Sequence, residues 1–140
     1  MKRHVLPNAV ILAVCSVILG GGLILTPPPN GNPNVHIGSI PLPGICTFRS
    51  VTGIPCPGCG LLRSVVSGIH GHVAESLEYH RLGLLTLLYV GLQFLFRLGI
   101  LFFPALIVRF SRLDSYLNRG IIVLAALFGI NWIVTLFSIL

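Results

Sequence analysis

Residues 52–60 read TGIPCPGCG, so two cysteines flank a Pro-Gly pair. Pro57 pre-sets the second position of a tight turn, and Gly58 accepts the positive φ that the third position of a type II turn requires. The sulfurs of Cys56 and Cys59 then fall on one side, and Gly60 lets the backbone come close to them. Thiols so placed have three uses. As thiolates they hold a soft metal, oxidised together they staple a loop, and cycled they exchange electrons with other thiols. Cys46, ten positions before Cys56, offers a third sulfur.

The C-P-x-C-G turn resembles the knuckle of zinc ribbons and rubredoxins, in which turn amides face thiolates held on one metal. A closed tetrahedral site needs four ligands, and no second C-x-x-C is present. Cys46, Cys56 and Cys59 with one histidine would complete a Cys3His set for zinc or iron. His36, His70, His72 and His80 compete for that place. His80 is the first choice because it ends a short amphipathic segment just above the second hydrophobic run. The rival readings follow from compartment. In an oxidising space Cys46 bridges to one of the pair as a structural disulfide, or Cys56 and Cys59 form a redox pair with Cys46 as resolving thiol. Cys59 stands where a helix would begin, a position that activates a thiol. No thioredoxin-like βαβ pattern surrounds the motif, which weighs against redox catalysis. Metal, disulfide and redox use all stay open on these residues alone.

The elements that must position this turn are apolar. The 140-residue chain is 54% hydrophobic and 9% charged, with a mean hydropathy of +0.95, where a soluble domain carries about 25% charged residues. Three runs, 6–25, 82–103 and 120–140, have the length of about 20 residues that a bilayer span needs. The predicted fold class is therefore an all-α membrane protein. Its three transmembrane helices are joined by a long extracytoplasmic loop, 26–81, that carries one or two short interfacial helices. Residues 1–140 form one membrane domain, since the loop is too short for a second core. Lys2 and Arg3 open the first run as in a signal peptide, yet the apolar stretch exceeds a typical signal core and no A-x-A site precedes Thr26, so a retained helix is expected. Val14 before Cys15 fits a lipid-attachment signal poorly, and Cys15 reads as a small apolar helix residue.

A net charge of +6 could suggest nucleic acid, but the basic residues sit at helix ends without an aromatic-basic cluster, which excludes that partner. Orientation explains the charge better. Lys2, Arg3, Arg97, Arg109, Arg112 and Arg119 stand against Arg49, Arg63 and Arg81, six against three. This places the N-terminus and the second loop in the cytoplasm and the cysteine loop outside an inner (plasma) membrane.

Residues 26–44, TPPPNGNPNVHIGSIPLPG, are too rich in proline, glycine and asparagine for regular helix or central strand and should run extended along the membrane surface. Leu61, Leu62, Val65 and Val66 follow at helical spacing, and a second short helix is expected over 72–80, with Val73, Leu77 and His80 on one face and Glu75 and Glu78 on the other. Within the spans, Ala9, Ala13, Ser16 and Gly20, and again Gly83, Gly91 and Gly99, form small-residue stripes suited to close helix contacts. Arg97 is expected to snorkel to the interface, because an arginine at the bilayer centre costs about 2.5 to 3.5 kcal/mol on insertion scales. Asn131 and Thr135 should hydrogen-bond a neighbouring helix, with Trp132 packing beside them. A transporter would line its path with Gln93, Arg97 and Asn131, a thin lining for three helices.

Residues 46–63 carry the pattern C-x-F-R-x-x-T-G-x-P-C-P-G-C-G-L-x-R, followed by a short amphipathic helix and a hydrophobic one. This resembles the family of domains of unknown function numbered 2752, with PCPGCG as its most specific part. The resemblance runs from Cys46 through the second span. It implies a small bacterial integral membrane protein, with Cys46, Cys56, Cys59 and Arg63 at the family's motif positions, and it brings no established activity. Thr47 stands where relatives usually carry proline, Leu62 where they carry threonine, and His80-Arg81 where they often show Asn-Pro or His-Pro. Arg63 would anchor to lipid phosphates or stabilise thiolates.

No catalytic base, carboxylate pair or nucleotide loop accompanies the cysteines. The reading is a small noncatalytic membrane protein whose extracytoplasmic cysteine cluster binds a metal or forms a structural disulfide. Its partners would be the lipid bilayer and another membrane protein or a second copy of itself. The alternative is a membrane thiol-disulfide oxidoreductase using Cys56 and Cys59.

Overall fold

A computed structural model describes residues 2–27, 35–41, 46–54, 56, 58, 60–103 and 109–139. The order is α1 (Lys2–Ile24), β1 (His36–Ile37), β2 (Ile40–Pro41), α2 (Thr47–Thr52), α3 (Leu61–Ile69), α4 (Val73–Tyr79), α5 (Gly83–Phe102) and α6 (Ser111–Ile139). In α1, α5 and α6 the stretches Pro7–Ile24, Gly83–Phe102 and Arg112–Phe137 are long and apolar enough to cross a membrane, with mean hydropathies of 2.0, 1.9 and 2.3. The chain is mostly helical with three candidate spans, as its composition implies. One boundary differs from the expected 120–140. Helix α6 begins at Ser111 and carries the polar turn Arg112 to Arg119 ahead of its apolar part. Hydropathy finds only that apolar part, because it averages lipid-like side chains and is blind to a polar helix start.

The proline-rich segment also departs from a simple extended run. Its described part, 35–41, folds back as an antiparallel hairpin with Ile37 opposite Ile40. Thr26 pairs with His36 through two backbone hydrogen bonds of 2.9 and 3.2 Å. That bridge ties the hairpin to the end of α1.

Helix α1 packs along α5. The buried face of α5 is the row Gly83, Val90, Gln93, Arg97 and Ile100, at the three-and-four spacing that keeps residues on one side of a helix. Among the side chains of α1 that are described, those at 7–24, Cys15 and Gly22 are the buried positions, which agrees with Cys15 as a packing residue. The stripe expected to make close contacts does not. Ala9, Ala13 and Ser16 are exposed, and a Cβ on Gly20 or on Gly91 would meet nothing within 4 Å. Small size permits a close approach without supplying one, and the contact went to the face that also carries Asn8 and Cys15.

Helices α3 and α4 form a hairpin against the first turns of α5. Val65 and Val66 are buried as their spacing predicts. In α4 the face expected to carry Val73, Leu77 and His80 is split, with only His80 buried. Val73 and Leu77 are 52% and 47% exposed, and Ser76 is the residue turned inward. The reason lies in how closely α3 and α4 approach, which only small side chains allow. From 118 to 137 no side chain of α6 is buried. This helix meets the rest of the bundle through the polar groups at its start and through two aromatic contacts described below.

Candidate functional site

The cysteine turn leads directly into α3, and its placement begins with three small residues. Ser64 Oγ donates to the Ser76 carbonyl at 2.6 Å and lies 2.9 Å from Ser76 Oγ, while Ser76 Oγ donates to the Ser64 carbonyl at 2.7 Å. Both serines are fully buried, so these reciprocal bonds satisfy groups that water cannot reach. Gly83 completes the contact. A Cβ there would fall within the Ser64 side chain, 2.5 Å from its Cβ.

Gly60, the last residue of PCPGCG, is the N-cap of α3 with φ 88°, a left-handed conformation that costs other L-residues about 1 to 2 kcal/mol. It also lies against the end of α4. A Cβ on Gly60 would stand 2.5 Å from the Tyr79 carbonyl oxygen. The end of the cysteine turn is thereby docked on the residue before His80.

His80 is buried at 7% exposure. Its Nδ1 accepts the Leu82 backbone N–H at 3.1 Å, and its ring stacks on Phe128 of α6 with centroids 5.2 Å apart. With Nδ1 used as acceptor, the neutral ring carries its hydrogen on Nε2. Cys46 and Cys56 are half-buried, Cys46 directly before α2 and Cys56 in the turn. Cys59 lies outside the described residues. Among the described residues no group of three or more His, Cys, Asp or Glu side chains gathers as a metal site. The other histidines stand apart. His70 Nδ1 lies 2.9 Å from the Val66 carbonyl on its own helix, His72 faces Glu75 at 3.7 Å, and His36 sits in the hairpin. Arg63 is half-exposed on α3.

A second polar constellation lies at the opposite end of the bundle. Arg97 does not snorkel. It is 2% exposed, and its Nη1 lies 2.6 Å from Asp114 Oδ1 of α6. The guanidinium also donates to Asn8 of α1, and to Asn118 Oδ1 of α6 at 2.7 Å. One turn away, Gln93 Nε2 donates to Tyr89 Oη at 2.8 Å and to the Leu117 carbonyl at 3.0 Å, and Tyr89 donates to the same carbonyl. All three long apolar helices thus meet through one guanidinium, whose buried charge is offset by a carboxylate and two amide oxygens. The signal was present in sequence: Asn8, Arg97, Asp114 and Asn118 all stand near the same end of their helices once the spans alternate in direction. Placing the start of α6 at residue 120 had hidden two of the four. Thr135 Oγ1 donates to the Asn131 carbonyl of its own helix at 2.8 Å.

Residues 46–94 match the family described as protein of unknown function, DUF2752. The matched stretch starts at Cys46, takes in the turn, α3 and α4, and ends inside α5. No curated protein and no solved structure matches the chain.

Proposed function

We propose, on the premise that the cysteine segment is a DUF2752 segment, that this chain is a noncatalytic membrane protein presenting a thiol site at one face of a three-helix bundle. Cys46, Cys56 and Cys59 form the site, with His80 beside it. The observation that carries the reading is the docking of Gly60 on the Tyr79 carbonyl, which fixes the end of the turn against the His80 corner. The excess of basic residues at the other end supports a cysteine loop on the outer side of a bacterial inner membrane.

The two uses of such a site make different demands on His80. As fourth ligand of zinc or iron it would have to give up the Leu82 N–H, binding through Nδ1 as it stands or through Nε2 once the ring hydrogen moves to Nδ1. A disulfide asks nothing of it. Two thiols lose two protons and two electrons to a disulfide-bearing or quinone-linked oxidant of the outer compartment, and the loop is stapled. This difference favours the disulfide. A role as subunit of a larger membrane assembly fits the uncovered outer face of α6.

The test is elemental analysis together with thiol counting on the full chain purified in mild detergent without a histidine tag. A disulfide predicts metal-free protein in which two of the loop thiols alkylate only after reduction. About one zinc or iron per chain, lost in Cys56→Ser, would establish the metal form instead. Three freely alkylating loop thiols without metal would refute both.

A further inference from the structure

The family match ends inside α5, yet two side chains of α6 touch the segments that carry the thiol site. Trp132 meets Phe48, two residues after Cys46, edge to face at 6.3 Å and 70°. Phe128 stacks on His80 at 5.2 Å and 28°. Phe128 and Trp132 are four residues apart on α6, so their side chains lie on one face about 5 to 6 Å apart at Cβ. The helix that starts after Cys46 and the corner against which the C-P-x-C turn is docked therefore rest on adjacent turns of the same helix.

We propose that Phe128 and Trp132 are positioning residues of the thiol site, an aromatic clamp on α6 that fixes the Cys46 segment relative to the His80 corner. The proposal rests on the reading of the cysteines as a functional site and deepens it. Cys46 is separated from Cys56 by nine residues that include Gly53 and Pro55, so the connection alone leaves their approach loosely set. An edge-to-face pair and a stacked pair each contribute about 0.5 to 1.5 kcal/mol beyond the area they bury, and both are anchored to a helix whose own position is set by the Arg97 cluster. Helix α6 thereby becomes part of the site although it supplies no sulfur.

Trp132 is the single tryptophan of the chain, which makes its emission a direct reporter. The experiment uses the full-length protein in lipid nanodiscs. Reduced protein is titrated with diamide and, separately, with zinc, while Trp132 emission and thiol alkylation are followed. In the wild type one of the two reagents should change the emission in step with loss of alkylatable thiol. Phe128→Ala and Phe48→Ala should each shift that midpoint by about threefold to tenfold, the effect of one lost aromatic pair. Trp132→Phe, read by alkylation alone, should keep the wild-type midpoint because a ring remains. Phe48 is 43% exposed on a short helix, so its truncation leaves the membrane helices intact and keeps the test valid should Phe128→Ala misfold. Midpoints unchanged in Phe48→Ala and Phe128→Ala, with a wild type that responds, would overturn the clamp alone. A wild type that binds no zinc and forms no disulfide would overturn the thiol-site reading, and the clamp with it.

Discussion

Removing the Asp114 carboxylate should be the most damaging single change at the base of the bundle. The Arg97 side chain is 1% exposed and that of Asp114 27%. Asp114→Ala would leave a guanidinium buried with only the Asn8 and Asn118 oxygens to hold it. Breaking a buried pair from one side costs about 3 to 5 kcal/mol. The partial exposure of Asp114 and the two remaining amide acceptors place the loss near the lower bound, about 3 kcal/mol, or roughly a hundredfold in the folding constant. Arg97→Leu should cost less, about 1 to 2 kcal/mol, because the orphaned carboxylate can reach water and a leucine suits hydrocarbon. The double substitution should be less damaging than Asp114→Ala alone by about 1 kcal/mol or more, since no buried charge remains. Reversible unfolding in mixed micelles, titrated with dodecyl sulfate and followed by circular dichroism and Trp132 emission, measures all three variants. Additive losses, or an Asp114→Ala loss under about 1 kcal/mol, would refute the account of the cluster as a charge-compensated joint.

Two further contrasts test the packing. Gly83→Ala drives a methyl into Ser64 and should lose about 2 to 3 kcal/mol, while Gly91→Ala, with nothing within 4 Å of the new atom, should be neutral or raise stability by up to about 1 kcal/mol; the same micelle titration compares them. Gly60→Ala meets both a left-handed φ and the Tyr79 carbonyl, so it should loosen the cysteine turn and raise the alkylation rate of Cys56, whereas Gly20→Ala in open space should leave that rate unchanged.

Much of the architecture was legible because bilayer spans are long and their signal adds up over about 20 residues. The limits of α5 fall within one residue of the hydropathy run. In the cysteine turn the positive φ expected at Gly58 belongs instead to Gly60, at 88°, so the proline and glycines marked a turn without fixing its type. What failed were inferences about which face of a helix meets which neighbour. The small-residue stripe of α1 stays outside while Cys15 goes in. In a membrane an apolar side chain is content on either side, so neither small size nor hydrophobicity points inward as it does in water.

The sequence by itself determined that the chain has three helices long and apolar enough to cross a membrane and a cysteine-bearing segment between the first two, because those properties are sums over composition or belong to a few adjacent residues. Only the tertiary structure decided that Arg97 turns inward to Asp114, that Gly60 rests on Tyr79 and that Phe128 and Trp132 meet His80 and Phe48. Each of these joins residues far apart in the chain. Their pairing depends on close approach and on cancelling a buried charge or an unmet hydrogen bond, quantities that exist only once the helices are side by side.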